Sequence, residues 1–174
     1  LYGEVKGNFE AAEATFQAGL VLDSNNYDLL LSLGDLFMAQ GNLDKAIKTY
    51  CDGITMNPDN FIAYAKAGLA LWEKDYIEEA LVSLHKAVDL NPDFEIAHNN
   101  LGVVYLDGIG DAYESLTHFK RAIELNPNYT LAYFNTGRAY QVLEEKTSAA
   151  EYYQMALDLN QLTHELDNDD IKSR

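Results

Sequence analysis

The sequence contains very little cysteine, proline and basic charge for its length. Cys51 is the only cysteine among 174 residues, so an internal disulfide and a cysteine metal cluster are excluded. No apolar run approaches the roughly 20 residues that a membrane span requires, so membrane insertion is not expected. Only 12 basic residues stand against 28 acidic ones, which gives a net charge of −16. Because a nucleic-acid interface needs a basic stripe, this balance argues against nucleic acid as a partner.

The rest of the composition is that of a soluble chain, with 48% hydrophobic and 23% charged residues. The acidic excess favours solubility through self-repulsion first and a basic partner second. A single unpaired cysteine favours a reducing compartment, and we predict a cytoplasmic location. The chain begins at Leu1, in the middle of a helical pattern, so we expect the native N-terminus to lie upstream.

The three prolines mark an internal repeat. Pro58, Pro92 and Pro127 each follow an asparagine, and they are separated by steps of 34 and 35 residues. A period near 34 is typical of repeats built from two helices. Proline lacks an amide proton and disfavours the α conformation in the residue before it, so a helix should end near each asparagine.

Four glycines repeat with the same period: Gly34, Gly68, Gly102 and Gly137. Apolar or aromatic residues stand three positions after and four positions before each glycine, except that His98 precedes Gly102, and these positions share one face of a first helix. A second periodic run follows in each repeat, and its small residues precede large ones by four positions. Small residues are needed where two helices approach closely. We therefore predict that the four glycines are packing sites between helices.

These periods divide the chain into a half repeat, four full repeats and a tail. The predicted boundaries are 1–26 for the half repeat, 27–60, 61–94, 95–129 and 130–163 for the full repeats, and 164–174 for an acidic C-terminal tail or frayed capping helix. In the half repeat, Phe9, Phe16 and Leu20 are expected to lack a partner helix. Exposed apolar surface at that end predicts a weak homo-oligomer formed through the half repeat.

The register resembles the tetratricopeptide repeat, a family of two-helix repeats. One unit of this chain reads Tyr64, Ala67-Gly68, Leu71, Ala80, Leu84, Ala87 and Pro92. The resemblance covers nearly the whole chain and recurs in four repeats. It implies an all-α fold, a right-handed superhelix of antiparallel helix pairs, in which first helices line a concave groove and second helices form the convex back.

The resemblance also implies which residues face the groove. They stand three and two positions before the repeat glycine and one and four positions after it. The predicted peptide-binding residues are Lys66, Leu69, Trp72, Asn99, Asn100, Val103, Leu106, Phe134, Asn135 and Arg138. Asparagine amides can pair with a peptide backbone, and apolar residues can hold an anchor side chain. Lys66 and Arg138 could receive an acidic group.

Catalytic, cofactor and metal sites are not predicted. The sequence has no phosphate-binding loop and no nucleophile-elbow motif. Its four histidines lack the spacing of zinc ligands, and His98 occupies a packing position. The segment Asp107 to Asp111 is interpreted as a glycine helix stop followed by Asp111 as a helix N-cap rather than as a calcium loop. The lysine and asparagine of a carboxylate clamp for chaperone tails are missing at the matching positions.

The sequence therefore predicts a non-catalytic scaffold that binds peptide or protein segments in its groove. One alternative is the substrate-recruiting arm of a larger enzyme resembling O-GlcNAc transferase, because Asn100 and Asn135 occupy one register position of successive repeats. The other alternative is a self-assembling scaffold.

Overall fold

The computed structural model describes the backbone of residues 2–172 and the side chains of residues 8–161. Within this part of the chain the structure is entirely helical, as predicted, and no strand occurs. The α-helices are α1 (Tyr2–Leu22), α2 (Tyr27–Ala39), α3 (Leu43–Met56), α4 (Phe61–Glu73), α5 (Ile77–Leu90), α6 (Glu95–Val103), α7 (Ala112–Leu125), α8 (Thr130–Val142) and α9 (Lys146–Lys172).

The chain divides into two compact units. Unit 1 is Leu1–Pro92 and unit 2 is Asp93–Arg174. Helices α2 and α3 form the first helix pair of unit 1, and α4 and α5 form the second. In unit 2, α6 pairs with α7 and α8 pairs with α9.

Three helices end next to the asparagines that precede the prolines, which confirms the prediction drawn from proline. Helices α3, α5 and α7 end one residue before Asn57, Asn91 and Asn126. Each of these asparagines leaves the helical conformation, while its backbone N–H still donates to the carbonyl oxygen four positions earlier.

Other asparagines begin helices, because their side-chain oxygens accept hydrogen bonds from amides of the first turn. Asn26 accepts from Leu29 at 3.0 Å, and Asn60 accepts from Ile62 at 2.9 Å.

The repeat glycines are packing sites between helices, as predicted, and their partners are the large residues of the second helices. The pairs are Gly34 with Tyr50, Gly68 with Leu84, Gly102 with Phe119 and Gly137 with Tyr153. A Cβ atom added at Gly68 would lie 2.6 Å from Cγ of Leu84, and one added at Gly137 would lie 2.7 Å from Cδ1 of Tyr153. Such distances are well inside van der Waals contact. Close approach of the two helices therefore requires glycine here.

The third full repeat, 95–129, is one residue longer than the other three, and a π-helical turn, Val104–Ile109, continues α6 there and accommodates the additional residue. A π-helical turn takes in more residues than an α-helical one, so it can absorb an insertion without shifting the residues on either side. Gly110 then ends the helix with a φ of 82°, and the Asp111 side chain accepts a hydrogen bond from the Glu114 amide at 3.0 Å. The predicted glycine stop and N-cap are both confirmed.

Each full repeat has one residue with positive φ in the turn between its two helices. These residues are Gly41, Asp75, Gly110 and Glu144, with φ of 70°, 65°, 82° and 62°. Two of the four are not glycine, although this conformation is unfavourable for residues with a Cβ atom. The repeat geometry therefore imposes the turn on Asp75 and Glu144.

The first helix of the chain is less open than the sequence predicts. Phe16 and Leu20 of α1 pack against the core cluster of α2, α3 and α4, which includes Leu33 and Tyr50. Both side chains are partly buried against the repeat that follows, so they expose less apolar surface than the sequence predicts. The predicted self-association gains no support from them.

The fourth repeat and the tail are joined in one helix. Helix α9 runs through residue 163 without interruption and continues to Lys172. The predicted tail at 164–174 is therefore helical in its backbone up to that point, whereas its side chains and its last two residues lie outside the described part of the chain. The exact repeat boundaries remain predictions.

Candidate binding surface

The predicted groove residues lie on the first helices of both units, and each unit is described separately. Unit 1 contributes Lys66, Leu69 and Trp72 from α4. Unit 2 contributes Asn99, Asn100 and Val103 from α6, Leu106 from the π-helical turn, and Phe134, Asn135 and Arg138 from α8. We call these two sets the first-helix face of unit 1 and the first-helix face of unit 2.

On the first-helix face of unit 1, the lysine is already paired. Lys66 Nζ lies 2.6 Å from Oδ1 and 2.8 Å from Oδ2 of Asp35 on α2. The same Oδ1 accepts a hydrogen bond of 2.8 Å from the Tyr50 hydroxyl. Leu69 and Trp72 are half-buried. The face therefore combines a neutralised ion pair with partly accessible apolar side chains.

The asparagines of unit 2 bond to one another rather than facing solvent. Asn135 Nδ2 donates to Asn99 Oδ1 at 3.0 Å, and Asn99 Nδ2 lies 3.5 Å from Asn100 Oδ1. Asn99 is 1% exposed and Asn135 is 3% exposed. Sequence reasoning predicted amides free to pair with a peptide, but in the structure these amides are buried because they lie where α6 meets α8.

Arg138 ends this chain of polar contacts. Its Nη2 donates to Asp107 Oδ1 at 2.8 Å and to Oδ2 at 3.1 Å, while its Nη1 lies 3.5 Å from Asn135 Oδ1. The Arg138 side chain nevertheless remains 35% exposed. The contacts Asp107–Arg138–Asn135–Asn99 thus fix a guanidinium at the surface of unit 2.

The predicted apolar residues of the groove in unit 2 are divided between two environments. Leu106 is buried in a cluster with Leu116 and Phe119, and Val103 packs against that cluster. Phe134 is exposed and lies beside Tyr153 of α9, with 5.5 Å between the ring centroids. These apolar residues do not form one continuous strip.

Sequence reasoning missed the acidic partners Asp35 and Asp107. A signal for them was present, because each precedes its basic partner, Lys66 or Arg138, by 31 residues. It also missed that His98 and His118 meet, with 3.3 Å between their Nδ1 atoms, so that one ring donates to the other. Within residues 8–161, no group of three or more histidine, cysteine or acidic side chains is arranged to hold a metal ion.

No helix in the described part of the chain combines the length and the apolar character that crossing a membrane requires.

Two family profiles match most of the chain. A profile described as "TPR repeat" matches residues 34–75 and 76–108, and one described as "Tetratricopeptide repeat" matches residues 108–162. The chain belongs to the tetratricopeptide repeat family. This membership supports a role as a protein-interaction scaffold, because such repeats bind partners through extended surfaces.

Several solved tetratricopeptide repeat structures are similar over most of their length. A crystal structure of MamA is 27% identical, covers 93% of this chain and 94% of its own, and gives a TM-score of 0.75. Pseudomonas aeruginosa PilF is 22% identical with coverages of 88% and 69% and a TM-score of 0.77. The Thermus thermophilus protein TTC0263, also a tetratricopeptide repeat protein, is 22% identical with coverages of 90% and 85% and a TM-score of 0.76. A search of curated protein sequences gave no match.

Proposed function

We propose that this chain is a non-catalytic scaffold that binds peptide or protein segments along the first-helix faces of its repeats. The main observation that supports this proposal is the geometry of Arg138. Asp107 and Asn135 hold its guanidinium in place, yet 35% of the side chain remains exposed. A cation that is fixed before binding loses little conformational freedom when a ligand arrives. Asp107 offsets the charge of the guanidinium, so a negative group would bind through the N–H donors that Asp107 leaves open.

The N–H donors of Arg138 that Asp107 does not engage indicate the chemistry of the ligand. A guanidinium has five N–H donors in a planar fork, and Asp107 engages only Nη2. The remaining donors suit a carboxylate, such as an acidic side chain or a C-terminus of the bound segment. On unit 1, the half-buried Trp72 and Leu69 suit an apolar anchor residue.

Affinity measurements on three single variants test the proposal. Peptides selected from a phage-displayed random library on the wild-type chain would be titrated by calorimetry into wild type, Arg138→Ala, Trp72→Ala and Lys48→Ala. Lys48 is a matched cation on the second helix α3, exposed and paired only locally with Asp52. We expect Arg138→Ala or Trp72→Ala to weaken binding by about 1–3 kcal/mol and Lys48→Ala to have no effect.

Thermal melts of the same variants show whether each remains folded. The first-helix assignment is wrong if Arg138→Ala and Trp72→Ala fold and bind like wild type. Loss of binding in Lys48→Ala alone would indicate that the ligand binds to the second helices.

Neither alternative function gains a supporting observation. The substrate-recruiting arm relied on accessible asparagines, but Asn100 and Asn135 are buried. The self-assembling scaffold relied on open apolar residues in α1, and two of the three are partly buried against the core. We also propose a cytoplasmic location, because a chain with one cysteine needs no oxidising compartment to fold.

A further inference from the structure

An apolar surface at the last helix pair is distinct from the network around Arg138. Helices α8 and α9 border an open groove of about 550 Å³, lined among others by Leu131, Phe134, Tyr153, Ala156 and Leu157. Phe134 is 47% exposed and Leu157 is 55% exposed. Large apolar side chains that are exposed side by side usually mark an interaction site. We call this region the α8–α9 surface.

The other repeats show what covers the equivalent positions. The position of Phe134 is occupied by Leu31 in the first full repeat and by Asn99 in the third, and both are buried. The position of Tyr153 is occupied there by Tyr50 and Phe119, which are also buried. In both cases the first helix of the following repeat packs on the second helix: α4 on α3 in unit 1, and α8 on α7 in unit 2. The α8–α9 surface is therefore the same kind of interface, and within the part of the chain that the structure describes no following helix covers it.

The covering helices share one feature. Helix α4 places Ala63, Ala67 and Ala70 in the cluster that contains Leu31 and Tyr50. Helix α8 carries Ala132, Thr136 and Ala139 at the same three register positions, and all are fully buried. Spacings of four and three residues put these small side chains on one stripe of the helix. Small residues let two helices approach closely where a bulky aromatic projects from the partner.

Charge argues for a basic partner rather than a second copy of this chain. In sequence, α9 carries six acidic residues and two lysines: Glu151, Asp158, Glu165, Asp167, Asp169, Asp170, Lys146 and Lys172. The whole chain has a net charge of −16, so two copies brought together at this helix would repel each other. A helix flanked by lysine or arginine would be attracted.

We propose that the α8–α9 surface docks an amphipathic helix of another protein, which takes the place of a following first helix. The docked helix carries small residues at i, i+4 and i+7 against Phe134, Tyr153 and Leu157, and basic residues on its flanks toward α9. The α8–α9 surface shares Phe134 with the first-helix face of unit 2 but does not include Arg138, so the two proposals can be tested separately.

Peptide binding to the full chain tests the proposal. The probe is a synthetic peptide of residues 60–74, the sequence of α4 with its cap, extended by two lysines at each end. The matched control peptide has leucine in place of the alanines at 63, 67 and 70. Fluorescence anisotropy would compare both peptides on wild type, Leu157→Asp, and Met155→Asp, an exposed residue two positions away on another face of α9.

We expect the probe to bind wild type and Met155→Asp equally and Leu157→Asp at least about tenfold more weakly, and the control peptide to bind weakly to all three. A second variant, Phe134→Ser, should reproduce the loss if Leu157→Asp does not fold. Equal binding to wild type and to whichever of these two variants remains folded would overturn the proposal. A wild-type dimer in sedimentation equilibrium that Leu157→Asp abolishes would also overturn it, because the occupant would then be a second copy.

Discussion

Asn135 donates a 3.0 Å hydrogen bond from its Nδ2 to Oδ1 of Asn99, and this contact joins the first helices of two consecutive repeats. The register of the sequence assigns both residues to a ligand-binding face, and on that assignment Asn135→Ala is expected to leave stability nearly unchanged. The structure corrects this stability expectation, because both amides are almost completely buried. They pack between α6 and α8, where only another protein group can satisfy them. Their predicted role in ligand binding remains untested.

Replacing either asparagine should destabilise unit 2. Asn99→Ala removes the acceptor of the Asn135 amide, and a buried donor left without an acceptor costs about 1–3 kcal/mol. Asn135→Ala should cost a similar amount, and the double variant should cost less than the sum, because the two side chains act as one unit. Urea denaturation would measure all three, with the exposed Asn128→Ala as a control. Strictly additive losses would show that the two amides are not coupled.

Glycine at position 102 should be required for packing. A side chain there would meet the ring of Phe119, whereas Gly108 lies in the exposed part of the π-helical turn. We expect Gly102→Leu to lower the free energy of unfolding by about 1–3 kcal/mol, because overpacked cores force neighbouring groups to shift. Gly108→Ala should cost less, since its φ is not positive. Equal shifts of the denaturation midpoint for the two variants would contradict this packing.

The positive-φ turns should allow the chain to be stabilised. Glu144 has a φ of 62° at the turn position where two other repeats have glycine. Glu144→Gly should raise the free energy of unfolding by about 0.5–1 kcal/mol, because relief of strain exceeds the entropic cost of glycine. The reverse change, Gly110→Ala, should destabilise the chain, since Gly110 has a φ of 82°. If thermal melts show Gly110→Ala to be more stable than Glu144→Gly, strain at this turn does not limit stability.

Stability should fall at alkaline pH, partly through Tyr50. Burial and the hydrogen bond to Asp35 raise the pKa of the Tyr50 phenol well above its usual value. The phenol therefore stays neutral in the folded chain when the unfolded chain begins to ionise near pH 10. The corresponding stabilisation is complete below pH 10 and is lost as the pH rises toward the folded-state pKa.

In Tyr50→Phe the free energy of unfolding should decrease less steeply with pH above pH 10, by about 1.4 kcal/mol per pH unit. The reason is that unfolding of this variant no longer releases the proton of the Tyr50 phenol. Tyr27→Phe should act in the same direction, because burial raises the pKa of Tyr27 to about 12. Urea denaturation at a series of pH values between 9 and 11 would give the slopes. An unchanged slope in Tyr50→Phe would show that this phenol ionises equally in both states.

Local rules of the chain were enough to predict the helices and the glycine contacts. Proline ends a helix whatever surrounds it, so Pro58, Pro92 and Pro127 placed three helix ends correctly. Spacing along a helix determines which residues share a face, so Gly68 could be assigned to a helix contact from its register, whereas its partner Leu84 was identified only in the structure. The extra residue before Asp111 could be located, but its π-helical conformation was not predicted, because the chain has several ways to absorb one residue.

The sequence by itself determined the fold, the repeat period and the side of each helix on which Lys66, Asn99, Asn135 and Arg138 lie. Only the tertiary structure decided what these side chains contact. Register fixes the direction of a side chain relative to its own helix, whereas burial depends on how closely the next repeat stacks against it. That stacking placed Asn135 against Asn99, brought Asp107 to Arg138 through the π-helical turn, and left Phe134 exposed because no further helix of the described chain covers it.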